Sequence, residues 1–464
     1  MSDLPPGWVD TTIGDVVVPK VEQRTPSADE DFIYIDISSV DRVAKKIVNS
    51  QILSGKDAPS RARQVVTSGD VLVSMTRPNL NAVAMVSKDL DGQIASTGFD
   101  VLRAKNIESR WLYYLVRTND FVTAMSDLVQ GALYPAVRPR DIRNFIIPLA
   151  PLNEQKRITE KLDTLLAHMD SCQTHLERVP QILKRFRQSV LAAATSGRLT
   201  EDWREKQGKS VKSWLSTIPE GGAPLPENYG RLGKIAFKLT VIEHNAKELP
   251  EAWALLTIAD LYEMKALIDF ADGNHGAMYP RKEDFGDKGA LFLTATQIGE
   301  NWEVDINACP RLRSDKAEKL VKGWARKNDV LLTHNATVGR VALLEFGEED
   351  VLLGTSVTFY RFNEKYISPN YGRILFSSPF FQDQLKTEMS QTTRNQVPIT
   401  KQVSFNFICP PIEEQAEIVR RVEKLFAYAE RLEARYTSAY EHVERLTPSL
   451  LAKAFRGDLV GQEE

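Results

Sequence analysis

The stretch PLNEQKRITEKLDTLLA (151–167) is restated as PIEEQAEIVRRVEKLFA at 411–427, an offset of 260 positions. At that offset Pro151, Glu154, Gln155, Ile158, Leu165 and Ala167 fall on Pro411, Glu414, Gln415, Ile418, Leu425 and Ala427. The match resumes without a gap where SVLAAATSGRLT (189–200) meets SLLAKAFRGDLV (449–460). An ungapped correspondence of that length reads as a duplication and predicts two similar units in one chain.

Within each copy the apolar residues step by four and three. The first series is Ile158, Leu162, Leu165, Met169, Cys172, Leu176, Val179, Leu183, Phe186 and Val190; the second runs Ile418, Val422, Leu425, Ala429, Leu432, Tyr436, Ala439, Val443, Leu446 and Leu450. A seam of that period held for more than four heptads predicts coiled-coil helices. Pro180 is expected to kink the first helix or divide it in two. Pro151 and Pro411 stand where a helix starts, Gly197 and Gly457 where one can stop. Two matched seams in one chain are expected to pack on each other.

The segments ahead of the helices are distantly alike as well. LPPGWVDTTIGDVV (4–17) parallels LPEAWALLTIADLY (249–262), so Trp8 meets Trp253, Ile13 meets Ile258 and Asp15 meets Asp260. Extended phrases follow at 33–42 and 291–300, then SGDVLVSMTRPN (68–79) and KNDVLLTHNATVG (327–339). Each segment ends in a polar loop, QGALYPAVRPRDIRNF (130–145) or SQTTRNQVPITKQVSF (390–405). Apolar alternation bounded by turn residues predicts β-rich modules. The expected organisation is α+β: globular 1–150, helical 151–204, a Pro- and Gly-rich linker 205–248, globular 249–410 and helical 411–464.

The chain of 464 residues is 42 % hydrophobic and 26 % charged, as in soluble globular proteins. It holds no apolar run long enough to span a membrane, and MSDLPPGWVD is unlike a signal peptide. The three cysteines, Cys172, Cys309 and Cys409, share no metal or redox spacing, which fits a reducing, cytoplasmic setting. A net charge of −3 argues against coating nucleic acid by bulk charge, and leaves room for cations concentrated on one face.

Motifs for chemistry are missing. GRLGK (230–234) has the wrong spacing for a phosphate loop, and the six histidines include no H-E-x-x-H. Neither a glycine loop for S-adenosylmethionine nor a [DN]-P-P-[YF] motif is present. The loops instead carry the side chains that pair with base edges and phosphates. In the first module these are Ser38, Ser39, Arg77, Asn79, Asn81, Tyr134, Arg138 and Arg140. In the second they are Thr296, Gln297, His334, Asn335, Arg340, Thr393, Arg394, Asn395, Gln396 and Lys401. Each is also an ordinary turn residue; clusters 134–140 and 392–401 stand out because each holds at least two cations. Glu154, Gln155, Glu414 and Gln415 are candidates for docking a partner, or alternatively for capping the first helical turn.

The repeated P-[LI]-x-E-Q opening, KLDTLLAHMD, QILKRFRQSVLAAATSGRLTEDWR and EEQAEIVRRVEKLFAYAE followed by SLLAKAFRGDLV resemble the specificity subunits of type I restriction–modification enzymes, especially the enterobacterial type IA subgroup. The resemblance is strong in 151–204 and 411–460 and architectural in the globular segments. It implies two target recognition domains separated by two long helices packed as an antiparallel coiled coil, with a pseudo-twofold internal repeat. Each domain would read one half of a split, asymmetric target in double-stranded DNA. The helices would set the spacer and dock two modification subunits that methylate adenine, and two restriction subunits would complete the nuclease. This subunit would carry no cofactor; its partners would use S-adenosylmethionine, ATP and Mg2+. The competing reading is a non-catalytic helical scaffold with two protein-binding heads, which predicts no DNA-dependent behaviour.

Overall fold

Pro151 caps the helix Leu152–Leu176, and Pro411 precedes the 45-residue helix Ile412–Arg456. The computed structural model describes residues 4–129, 131, 133–208, 212–218, 249–274, 279–345, 351–390 and 395–461. The first strut is divided as its sequence requires. Leu152–Leu176 ends, and Val179–Thr195 begins with Pro180 at its second position, where a missing N–H costs nothing. The second strut stays one helix although Pro448 lies inside it.

Two compact units result, one of residues 1–178 with 435–464 and one of 179–434. Each joins a β-rich head to parts of both struts. In the first head Val9–Thr12 pairs antiparallel with Ile146–Leu149, closing the module where the chain leaves for the strut. A mixed sheet runs Gln51–Ser54, Asp31–Ile35, Ile94–Ser96, Ala62–Val65, with its two central strands parallel. A second sheet runs Phe99–Leu102, Val71–Ser74, Val83–Met85. The second head repeats this plan. Ala254–Thr257 pairs with Asn406–Cys409, Ala290–Leu293 lies parallel to Val351–Leu353, and Val330–Thr333 sits between Val357–Phe362 and Val341–Leu343.

The repeat extends to single hydrogen bonds. Thr12 and Asp15 form a capping box, and so do Thr257 and Asp260. Asp70 receives the Arg103 guanidinium through Nε at 2.9 Å and Nη2 at 2.8 Å; Asp329 receives Arg361 through the same two nitrogens at 2.9 and 2.6 Å. Burial pushes the Asp329 carboxyl up, and the Arg361 hydrogen bonds oppose that rise. A buried carboxylate needs such a partner.

Glu154, Gln155, Glu414 and Gln415, candidates for docking a partner or for capping the first helical turn, are buried. Their acceptors and donors serve the heads. The Trp8 indole N–H donates to Glu154 Oε2 at 3.0 Å, and the Trp253 indole N–H donates to Glu414 Oε2 at 2.7 Å. Gln155 accepts from the Glu108 amide and donates to the Ala150 carbonyl; Gln415 accepts from the Ser368 amide and donates to the Pro410 carbonyl. Arg204 and Thr200 complete the surroundings of Glu414. The four residues pin each head to the start of its strut.

The seam is deepest where helix meets head. Ile158, Leu162 and Leu166 share the first head's core with Trp111, Leu451 and Ala454, while Leu183, Val190, Leu191, Ile418 and Val422 are buried in the second unit. Because helix starts and helix ends meet in one core, the strut segments of the first unit run antiparallel. Cys172 is exposed and Gln173 is half-buried instead. A helix of 3.6 residues per turn drifts about 20° per heptad against a 3.5 repeat, so an extrapolated seam slides off by one position. Ala439 is likewise exposed. Of the expected linker 205–248, Trp214 is buried in the second core, its amide bonded to the Ala252 carbonyl. Among the described residues, no helix is long and apolar enough to cross a membrane.

Candidate nucleic-acid interface

The two loop phrases singled out in each head come together. In the first head the Arg77 amide donates to the Pro135 carbonyl at 2.8 Å, Thr76 bridges Ala136, and the Val137 amide donates to the Met75 carbonyl at 2.9 Å. In the second, the Ala336 amide donates to the Asn395 carbonyl at 3.0 Å, Asn335 bridges Gln396, and the Val397 amide donates to the His334 carbonyl at 2.9 Å. One surface in each head therefore carries both loops. The backbone there is bent sharply: Arg77 (φ 50°), Asn81 (φ 44°) and Ala336 (φ 62°) adopt left-handed conformations without being glycine. Such strain persists only where surrounding bonds impose it.

The candidates separate by exposure. Ser38, Arg77, Asn79, Tyr134, Arg138 and Arg140 of the first head are exposed, as are Thr296, Asn395 and Lys401 of the second. Lys401 approaches Glu388 at 3.4 Å, and Arg140 lies 3.6 Å from Asp141. Thr393 and Arg394 lie outside the described residues.

The remaining candidates are engaged in the fold. Ser39 is buried and accepts from the Asp36 amide, and Gln297 accepts from the Thr294 amide, so both cap the turn after a strand. Asn81 donates through Nδ2 to the Val116 carbonyl and accepts Lys45 Nζ on Oδ1. Arg340 donates to the Ile298 carbonyl at 2.8 Å, and His334 is buried. Asn335 and Gln396 are half-buried beside their shared bridge. A cavity of about 1090 Å³ adjoins the second head's loop at Thr337–Val341, where Lys184, Arg187 and Arg373 alternate with Glu300, Glu423 and Glu430.

Sequence reading missed Lys45, which lies in the run DRVAKK (41–46). Its ammonium is half-buried against Asn81; burial, with repulsion from Arg117, holds its pKa down to about 8. It also missed Gln382, which donates to the Gly339 carbonyl at 2.9 Å and to the Phe376 carbonyl at 2.6 Å. No local signal marks either residue, because their partners are brought to them only by the fold.

Known proteins share the overall fold of this chain. The family described as type I restriction modification DNA specificity domain matches residues 5–181 and 260–438. The EcoBI specificity subunit of Escherichia coli is 34 % identical over 345 residues, covering 74 % of this chain and 64 % of its own length. The EcoKI specificity subunit of Escherichia coli K12 is 29 % identical over 475 residues, covering 99 % of this chain and 90 % of its own. A chain solved in a study of complex assembly and conformational transition of the type I R-M system aligns at a TM-score of 0.70 and 26 % identity, over 99 % of this chain and all of that one. Two heads of one plan, matched separately by the same family, mark this chain as a member of the type I restriction–modification DNA specificity family.

Proposed function

We propose that each head reads one half of a split, asymmetric sequence in double-stranded DNA. The observation that carries this reading is one framework used twice under different loops: equivalent strand pairs and capping boxes recur in both heads, while the exposed loop residues differ, Arg77, Asn79 and Tyr134 in one head and Thr296, Asn395 and Lys401 in the other. Phosphate contacts by the arginines and lysines would set register, and amide and hydroxyl groups would read base edges. The struts set the unspecified spacer between the half-sites.

Two modification subunits dock on the struts and methylate adenine in each half-site; two restriction subunits supply the ATP-driven nuclease. S-adenosylmethionine, ATP and Mg2+ belong to those partners, and this chain, itself non-catalytic and cytoplasmic, contributes specificity. Docking on exposed strut positions is consistent with the burial of Glu154, Gln155, Glu414 and Gln415.

The test is a map of methylated adenines in a methylation-deficient host expressing the chain with its modification subunit. A single two-part motif is expected. Replacing residues 1–150 by the corresponding segment of a relative should change one half of that motif only. A change in both halves or in neither, or no motif from an assembled complex, overturns the reading.

A further inference from the structure

Each head ties its loop to the same point of its scaffold with a different side chain. In the first head Asn81, at the end of the Arg77–Asn81 loop, donates to the Val116 carbonyl at 2.8 Å. In the second, Gln382 donates to the Phe376 carbonyl at 2.6 Å and to the loop's Gly339 carbonyl at 2.9 Å. Val116 and Phe376 are equivalent under the 260-residue offset. Both lie at the end of a helix, Ser109–Leu115 or Pro369–Ser377. One acceptor position served by two unrelated donors shows that the tie, rather than any one residue, is what the architecture keeps.

A second tie joins each loop to a neighbouring hairpin. Lys45 Nζ donates to the Asn81 carbonyl at 2.5 Å and to Asn81 Oδ1 at 2.9 Å, and Arg340 donates to the Ile298 carbonyl at 2.8 Å. From there the connection runs on to the strut. The Tyr113 hydroxyl donates to the Lys45 carbonyl, the adjacent Tyr114 hydroxyl donates to Asp163, and Arg110 donates to Asp163 at 2.6 Å. In the second head Trp302 of the hairpin stacks on Phe426 of the strut, 4.9 Å between ring centroids, and bonds Ser377 Oγ at 2.7 Å. Arg373 covers the Trp302 ring at 4.4 Å and reaches Glu423, the positional equivalent of Asp163.

We infer that Lys45 in the first head and Gln382 in the second are positioning residues for base reading, fixing the reading loop to the part of the head that is anchored on the strut. This rests on the half-site reading proposed above. The Lys45 amine is occupied by Asn81, so it acts on DNA through the loop. A loop freed from its tie samples several placements of its exposed side chains. Discrimination then falls because a base-edge contact depends on a fixed donor geometry.

The experiment compares methylated-adenine maps for the complete chain and modification subunit carrying wild type, Lys45→Met, Lys45→Arg or Gln382→Leu. Lys45→Met should lose about tenfold discrimination at one or more base positions of one half-site and leave the other half unchanged. Gln382→Leu should do the same in the opposite half. Lys45→Arg, which keeps donors for the loop, should hold the wild-type preference. A merely structural role predicts an even decline over both halves with base preferences intact; that result, or no change, overturns the inference. So does Lys45→Arg behaving like Lys45→Met. A wild-type complex that assembles and methylates no split motif removes the half-site reading itself, a separate result.

Discussion

A lysine held half-buried beside an arginine is a costly arrangement, and Lys45 shows where the cost falls. Its folded pKa of about 8 lies below the value of an unfolded lysine, about 10.4. Between those values the unfolded chain binds the extra proton, so stability rises with pH through that window. Burial is the main cause; Arg117 adds repulsion, and Asp41 opposes both. The denaturation midpoint of wild type, minus that of Lys45→Met, should therefore increase between pH 8 and pH 9.5, with other titrations cancelling in the difference. A pH-independent difference would show that the amine keeps its proton throughout. Such a residue resists sequence reading because its neighbours come from positions 36 and 72 residues away, Asn81 and Arg117.

At the scale of elements, the contact that joins head to strut is an indole N–H on a buried carboxylate. Trp253→Phe removes one donor from Glu414 while nearly keeping the ring's bulk. It should destabilise the second unit by about 1.5–3 kcal/mol, the range for a hydrogen bond to a charged group. Hydrogen exchange across Ala254–Thr257 and Asn406–Cys409 should rise; protection equal to wild type would mean that Arg204 and Thr200 satisfy Glu414 alone. The two struts were legible because apolar periodicity is a local property, and Pro180 divides the first as its chemistry demands. The strands after Asp70 and Asp329 were legible for the same reason. The role of the repeated E-Q pair was not. Acidic and amide side chains in a first helical turn read as exposed caps, and the tryptophans that need them are 146 and 161 residues away. Loop types indicated where the candidate surface lies, and the pairing of loops 75–81 and 134–140 gives that indication a place. Residue types could not separate exposed Arg77 from Asn81, whose amide is spent on Val116.

For the molecule as a whole, the first head is finished by residues far from it in sequence. Phe455 stacks edge-on against Trp111 at 4.7 Å, Trp111 meets Trp8 at 5.5 Å, and Leu451 and Ala454 are fully enclosed by the same core. Deleting 449–460 should expose that core: head-one strands lose protection from proteolysis, and the unit formed by 179–434 keeps its own. Equal sensitivity of both units would contradict this division. The same enclosure orders events on the ribosome. The first head emerges early but must wait, its apolar floor of Ile158 and Leu162 uncovered, until the whole second head has been synthesised. The second unit, though begun later, has all of its buried parts available sooner. Birth order and completion order are thus reversed, and the waiting surface makes the early head the natural client of chaperones during translation.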